Sequence, residues 1–122
     1  MGRRRNTPAG GDMLLGTLDM LVLRTLLFGA AHGHAIAHAI EASSEEVLQV
    51  EHGSLYPALH RLENRDLLTA DWKQTDTGRE AKFYKLTRKG RGALAQEEAS
   101  WNRLTDAVSL ILGLSNAEGD AK

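Results

Sequence analysis

Apolar residues crowd the early part of the chain on almost every side. Between Thr17 and Phe28 only Asp19, Arg24 and Thr25 interrupt Leu18, Met20, Leu21, Val22, Leu23, Leu26 and Leu27. A helix apolar around most of its circumference is buried around most of it, so this stretch predicts a central helix capped by Thr17 and stopped by Gly29. A second helix is expected from about Gly33 to Ala42, with Ile36 and Ile40 one turn apart and Ser43 and Ser44 ending it. Glu45–Glu51 alternates too loosely for a strand. It is expected to close a turn while Val47, Leu48 and Val50 cover the core.

In the segment Gly53–Asn64, GSLYPALHRLEN, the pattern becomes two-faced. Leu55, Ala58, Leu59 and Leu62 fall on one stripe of a helix, and Pro57, His60, Arg61 and Asn64 fall on the other side. Proline lacks an N–H and suits the first turn, so the helix is expected to begin no later than about Tyr56, with Ser54 as its cap. Short polar side chains at the leading end of a helix suit a major groove, because the first turn of a recognition helix is what reaches the base edges.

Strict alternation follows. Leu68, Ala70 and Trp72 alternate with Thr69, Asp71 and Lys73; Asp76, Thr77 and Gly78 supply a turn; Lys82–Leu86 alternates again, with Tyr84 and Leu86 on one face. This predicts a hairpin with a polar tip. Two strands are not stable alone, so Trp72, Tyr84 and Leu86 are expected to lean on the helices. From Thr87 to Leu112 the helical pattern returns. Leu94, Trp101 and Val108 recur at intervals of seven, Leu104 and Ile111 form a second line, and Glu97 is the polar exception. A helix of that length spans about 39 Å, more than a small core covers, so a second copy is expected to bury the stripe. Leu94, Trp101, Leu104, Val108 and Ile111 are the expected seam of a homodimer.

Three helices followed by a charged hairpin define a winged helix-turn-helix, mainly α with a small β-hairpin, here with a long C-terminal dimerisation helix appended. The expected divisions are a disordered basic arm over 1–12, the winged helix over 13–87, the dimerisation helix over 88–114 and a flexible tail over 115–122. At 122 residues there is no length for a second globular domain. The net charge of −1 argues against nonspecific coating of nucleic acid, yet its distribution is uneven. From His52 to Arg91 there are nine Lys or Arg against five acids, and both flanks are net acidic. On the wing, Lys73, Arg79 and Lys82 are positioned to reach phosphates. Ser54, Tyr56, Pro57, His60, Arg61 and Asn64 are the helical DNA-contact candidates, because phosphate contacts fix register while base contacts specify sequence.

Other chemistries fit poorly. Cysteine is absent, which excludes disulfides and thiolate zinc sites and points to a reducing, cytoplasmic setting. The apolar run Leu18–Leu27 is too short and too charged to span a bilayer. His34 and His38 have the four-residue spacing of a two-histidine metal site, but a zinc site needs a third ligand and a supporting shell that Glu41 and Glu45 complete only on paper, and we read them as surface histidines. Neither a nucleophile elbow nor a phosphate-binding glycine loop is present, so no catalytic residue and no cofactor is expected. Arg3, Arg4 and Arg5 are read as a solvated arm. The remaining rival is a winged-helix adaptor that binds protein without DNA.

The motifs GTLDMLVLRTL, HGHAI, GSLYPALHRLE, AKFYKLT and WNRL, in this order, resemble the PadR family of bacterial transcriptional regulators over Leu14 to about Gly113. The resemblance implies a winged helix that binds double-stranded DNA, a dimerising last helix and repression of transcription, relieved in some members by small phenolic or drug-like compounds. It also implies that Trp101 matches a tryptophan that stacks on flat aromatic effectors in drug-responsive members. The acids around it, Glu97 and Glu98, would favour a cationic aromatic effector. Three departures stand out: His34 replaces an aromatic Tyr, Asp66 replaces the Gly that ends the recognition helix, and Glu80 separates Arg79 from AKFY.

Overall fold

The computed structural model describes residues 15–114; the expected basic arm and polar tail lie outside them. In order, the elements are α1 (Leu15–Leu26), β1 (Ala31–His32), α2 (Gly33–Ser43), α3 (His52–Asn64), β2 (Leu68–Gln74), β3 (Glu80–Leu86) and α4 (Arg88–Leu112). Leu18, Met20, Val22, Leu23 and Leu26 of α1 are all buried, as its near-continuous apolarity requires. The helix starts before Thr17, so that residue lies in the first turn and is not the cap. It also stops sooner than expected: Leu27, Phe28 and Gly29 are held by turn hydrogen bonds, Gly29 takes φ +139°, and Phe28 is exposed.

Leaving that turn, Ala31 and His32 form a short strand that pairs antiparallel with β3, Ala31 opposite Tyr84 and His32 opposite Phe83. His32 then caps α2, its Nδ1 accepting a hydrogen bond from the Ala35 N–H at 3.2 Å. Ile36 and Ile40 are buried as their spacing predicts. In the connection to α3, the Glu41 carboxylate accepts from the Val50 N–H at 2.8 Å and holds Val50 in the core. Leu48 is half-buried, whereas Val47 points to solvent.

α3 begins at His52, within the bound that Pro57 sets but upstream of the expected cap: Glu51 is the N-cap, and Ser54 lies inside the helix and does not cap it. The Glu51 carbonyl accepts from the N–H groups of Ser54 at 3.0 Å and Leu55 at 2.9 Å, so the first turn closes upstream of Pro57. The ring removes the bond to the Gly53 carbonyl, and Gly53 is exposed, so water replaces it at small cost. Leu55, Ala58, Leu59 and Leu62 are fully buried. At the other end Asp66 adopts φ +63°, the left-handed conformation that favours Gly past a helix end. The Leu67 N–H reaches the Leu62 carbonyl at 2.9 Å and closes the helix.

The sheet order is β1-β3-β2. Leu68 faces Leu86, Ala70 faces Tyr84 and Trp72 faces Lys82, so these pairs share one face. Leu68, Tyr84 and Leu86 are buried, but Trp72 is 66% exposed and does not pack on the helices as expected. The core ends at the Ala70–Tyr84 pair, and Trp72 stands one pair nearer the hairpin tip. Thr87 caps α4, its hydroxyl accepting from the Gly90 N–H at 2.9 Å. Gly113, at φ +74°, ends the helix. Leu94 is 3% exposed within its own chain, because the first turns of α4 pack on the core, so it is not free for a seam with a second copy. Past the Arg24–Glu98 ion pair, 3.4 Å long, the helix leaves the core behind. Trp101, Leu104, Val108 and Ile111 are then exposed, at 40%, 52%, 42% and 83%.

Candidate nucleic-acid interface

α3 is anchored by its leucine stripe, and that anchoring turns Tyr56, Pro57, His60 and Asn64 to solvent. Ser54 is half-buried in the first turn. The helix lies close to α2: a Cβ on Gly33 would lie 2.7 Å from the Tyr56 hydroxyl, so a larger residue there would make the phenol shift. Tyr56 thus lies against α2 and still presents an edge to solvent. Beside it the His52 ring meets Tyr56 edge-on at 5.6 Å, and His34 meets His52 at 6.3 Å. His34 thus faces the start of α3, while His38 stays exposed one turn further along α2. Among the described residues no three His, Cys, Asp or Glu side chains converge as a metal site.

Two of the expected cations are engaged within the protein. The Arg61 guanidinium bonds the Asp19 carboxylate of α1 at 2.8 Å, the aspartate side chain being 15% exposed. It braces α3 on α1 and does not extend freely toward a base. The Lys82 ammonium lies 3.1 Å from the Glu63 carboxylate and 5.5 Å from the centre of the Tyr84 ring. Lys73 sits on the opposite face of the wing, over Phe83 at 5.9 Å. Arg79, on the 75–79 turn, is exposed and has no ion-pair partner among the described residues. Burial raises the Tyr84 phenol above its ordinary pKa, with the Lys82 charge opposing, so the ring is a neutral support for Lys82.

Between the start of α3 and the inner face of the wing runs a groove of about 950 Å³, bordered by His34, Tyr56, Trp72, Arg79 and Lys82. Sequence reasoning missed Trp72 as part of this surface. Alternation gives the face a strand residue occupies, but not where along the strand the core stops.

Recognition-helix side chains and an adjacent cationic wing on one surface are the arrangement of a winged-helix transcription regulator. Residues 22–96 match the Transcriptional regulator PadR-like family, and the chain belongs to that family. It is 36% identical over 72 residues to a transcriptional regulator of Mycobacterium tuberculosis, covering 59% of this chain and 64% of that protein. A PadR-family transcriptional regulator from Eggerthella lenta superposes with a TM-score of 0.67 at 34% identity, covering 80% of this chain and 82% of the other. A PadR-like transcriptional regulator from Bacillus cereus superposes with a TM-score of 0.70 at 26% identity, covering 83% and 96%. No helix among the described residues is long and apolar enough to cross a membrane.

Proposed function

We propose that the chain is a sequence-specific repressor that binds an inverted-repeat operator as a homodimer. The observation that carries this reading is the pairing of two uncovered surfaces. One is the polar face of α3 with Tyr56, Pro57, His60 and Asn64, flanked by the wing cation Arg79; the other is the apolar stripe Trp101, Leu104, Val108 and Ile111. The first suits a major groove and its flanking phosphates. The second is too apolar to stay in water and lies beyond the reach of its own core. Arg61 and Lys82 serve the interface by bracing α3 and the wing, and Ser54 lies where the leading turn enters the groove.

An effector input at Trp101 fits the same arrangement. The indole is 40% exposed on the stripe, so a flat aromatic compound has a face to stack on. Of the neighbouring acids, Glu98 is paired with Arg24, which leaves Glu97 to select a cationic compound. Such a ligand changes the spacing of two recognition helices only by binding one spacing better than another.

The test is selection of duplexes from a random-sequence pool by the purified protein, with the protected boundaries then mapped. A two-fold symmetric site is expected, its half-sites one or more helical turns apart. Failure to enrich any duplex at low salt would leave the adaptor reading in its place.

A further inference from the structure

We infer that Trp72 is a DNA contact that adds affinity without adding charge, its indole lying against the sugar–phosphate chain of the strand that passes between α3 and the wing. The inference rests on the DNA-binding reading above and deepens it. On the inner face of β2, Leu68 is buried and Ala70 half-buried, but Trp72 is 66% exposed, so packing on the core does not account for its indole. It stands opposite Lys82 in the β2–β3 register, on the face turned toward α3, and borders the groove together with Tyr56. The groove adjoins the exposed face of α3, where a duplex docked on that helix would carry its flanking strand.

The chemistry of the groove selects the kind of contact. Its formally charged side chains cancel, Arg79 and Lys82 against Asp76 and Glu80, and Lys82 is held by Glu63 besides. Attraction of a phosphate by net charge is therefore weak at this place, whereas Trp72 and Tyr56 offer ring surface and a donor each. Indole combines an apolar body with a single N–H donor, which matches a deoxyribose ring beside a phosphate oxygen. Contacts of this sort release no counterions, so they leave the salt dependence of binding unchanged.

The experiment uses the full chain and a duplex that the parent protein has enriched from a random pool. Trp72→Ala is expected to raise Kd about tenfold, the scale of one aromatic stacking contact, by the same factor at every salt concentration. Trp72→Phe, which keeps the ring and loses the donor, should fall between the two. The parent's tryptophan emission should change on adding the duplex, and that change should be lost in Trp72→Phe, which reads the contact independently of any loss of folding in the alanine variant. Enrichment of a duplex by the parent, together with unaltered affinity in Trp72→Ala or an emission change that persists in Trp72→Phe, overturns the inference and leaves DNA binding standing. An affinity loss accompanied by a lower salt slope also overturns it, since Trp72 would then act by placing Lys82. Failure of the parent to enrich any duplex overturns DNA binding itself.

Discussion

Arg61 and His60 are neighbours on one helix, yet their surroundings give them different work. His60 is exposed and makes no side-chain hydrogen bond or ion pair among the described residues, whereas Arg61 is tied to Asp19 at 2.8 Å. His60→Ala should therefore lower affinity for the selected site by about 1–3 kcal/mol if it loses a base contact, with the melting temperature unchanged. Arg61→Ala should lower the melting temperature as well. It leaves a mostly covered Asp19 carboxylate without its partner, and with the Arg61 side chain 38% exposed and water screening the pair, the loss is about 1 kcal/mol. Thermal melts run beside DNA titrations separate the two; equal melting temperatures for both variants would remove the bracing role. Asp66 makes the complementary case for backbone strain. It holds φ +63°, and Asp66→Gly should stabilise the fold by about 0.5–1 kcal/mol in a denaturant titration, since glycine adopts that conformation without a Cβ penalty.

At the scale of elements, the junction between the start of α4 and the wing leaves no room for a side chain at Gly90. A Cβ on Gly90 would collide with the Leu67 carbonyl and lie 2.7 Å from Leu86 Cδ1, while the Thr87 N–H bonds that same carbonyl at 3.1 Å. Gly90→Ala should therefore destabilise the protein by about 1–3 kcal/mol by forcing α4 off the sheet, despite alanine's better helix propensity. A stable Gly90→Ala variant would mean the junction yields. The wing tip permits a test of charge: Arg79→Ala should reduce the salt slope of DNA binding by about one unit, and Lys82→Ala by less, because Glu63 already neutralises that ammonium.

These elements also mark what periodicity alone conveys. The buried stripes of α1, α2 and α3 and the strand–turn–strand of the hairpin were legible, because repeating apolar positions report directly which face meets the core. The start of α3 was not, since local rules place proline in a first turn, while here an exposed Gly53 carbonyl tolerates the missing bond. β1 has two residues and carries no period at all; it exists only because β3 offers an edge. The ion pairs of Arg61 and Lys82 join residues 42 and 19 positions apart, a separation no local pattern encodes, and so free cations were expected where braced ones stand.

The whole molecule is governed by the half of α4 that its own fold does not cover. The helix has 25 residues, about 37 Å at 1.5 Å per residue, and is anchored at Gly90 and Leu94 near its beginning. Beyond Glu98, Leu104, Val108 and Ile111 are exposed among the described residues, and with Trp101 they keep the seven-residue recurrence of helices that pair along a seam. Leu94 is buried in its own chain, so the proposed seam would be shorter than the repeat suggests and each remaining apolar residue would matter more. Leu104→Asp places a carboxylate in the centre of it. Separating the copies is the cheaper response to burying an unpaired charge, so sedimentation should show the variant as a monomer at concentrations where the parent is a dimer. The fold of each copy should persist, with an unchanged circular dichroism spectrum, because Leu104 is 52% exposed and touches none of the core. Operator affinity should then fall by about a hundredfold or more, since the second half-site is no longer bound intramolecularly, while affinity for an isolated half-site should stay as it was. A parent that sediments as a monomer at micromolar concentration, or a Leu104→Asp variant that remains dimeric, would mean that something other than this stripe joins the copies.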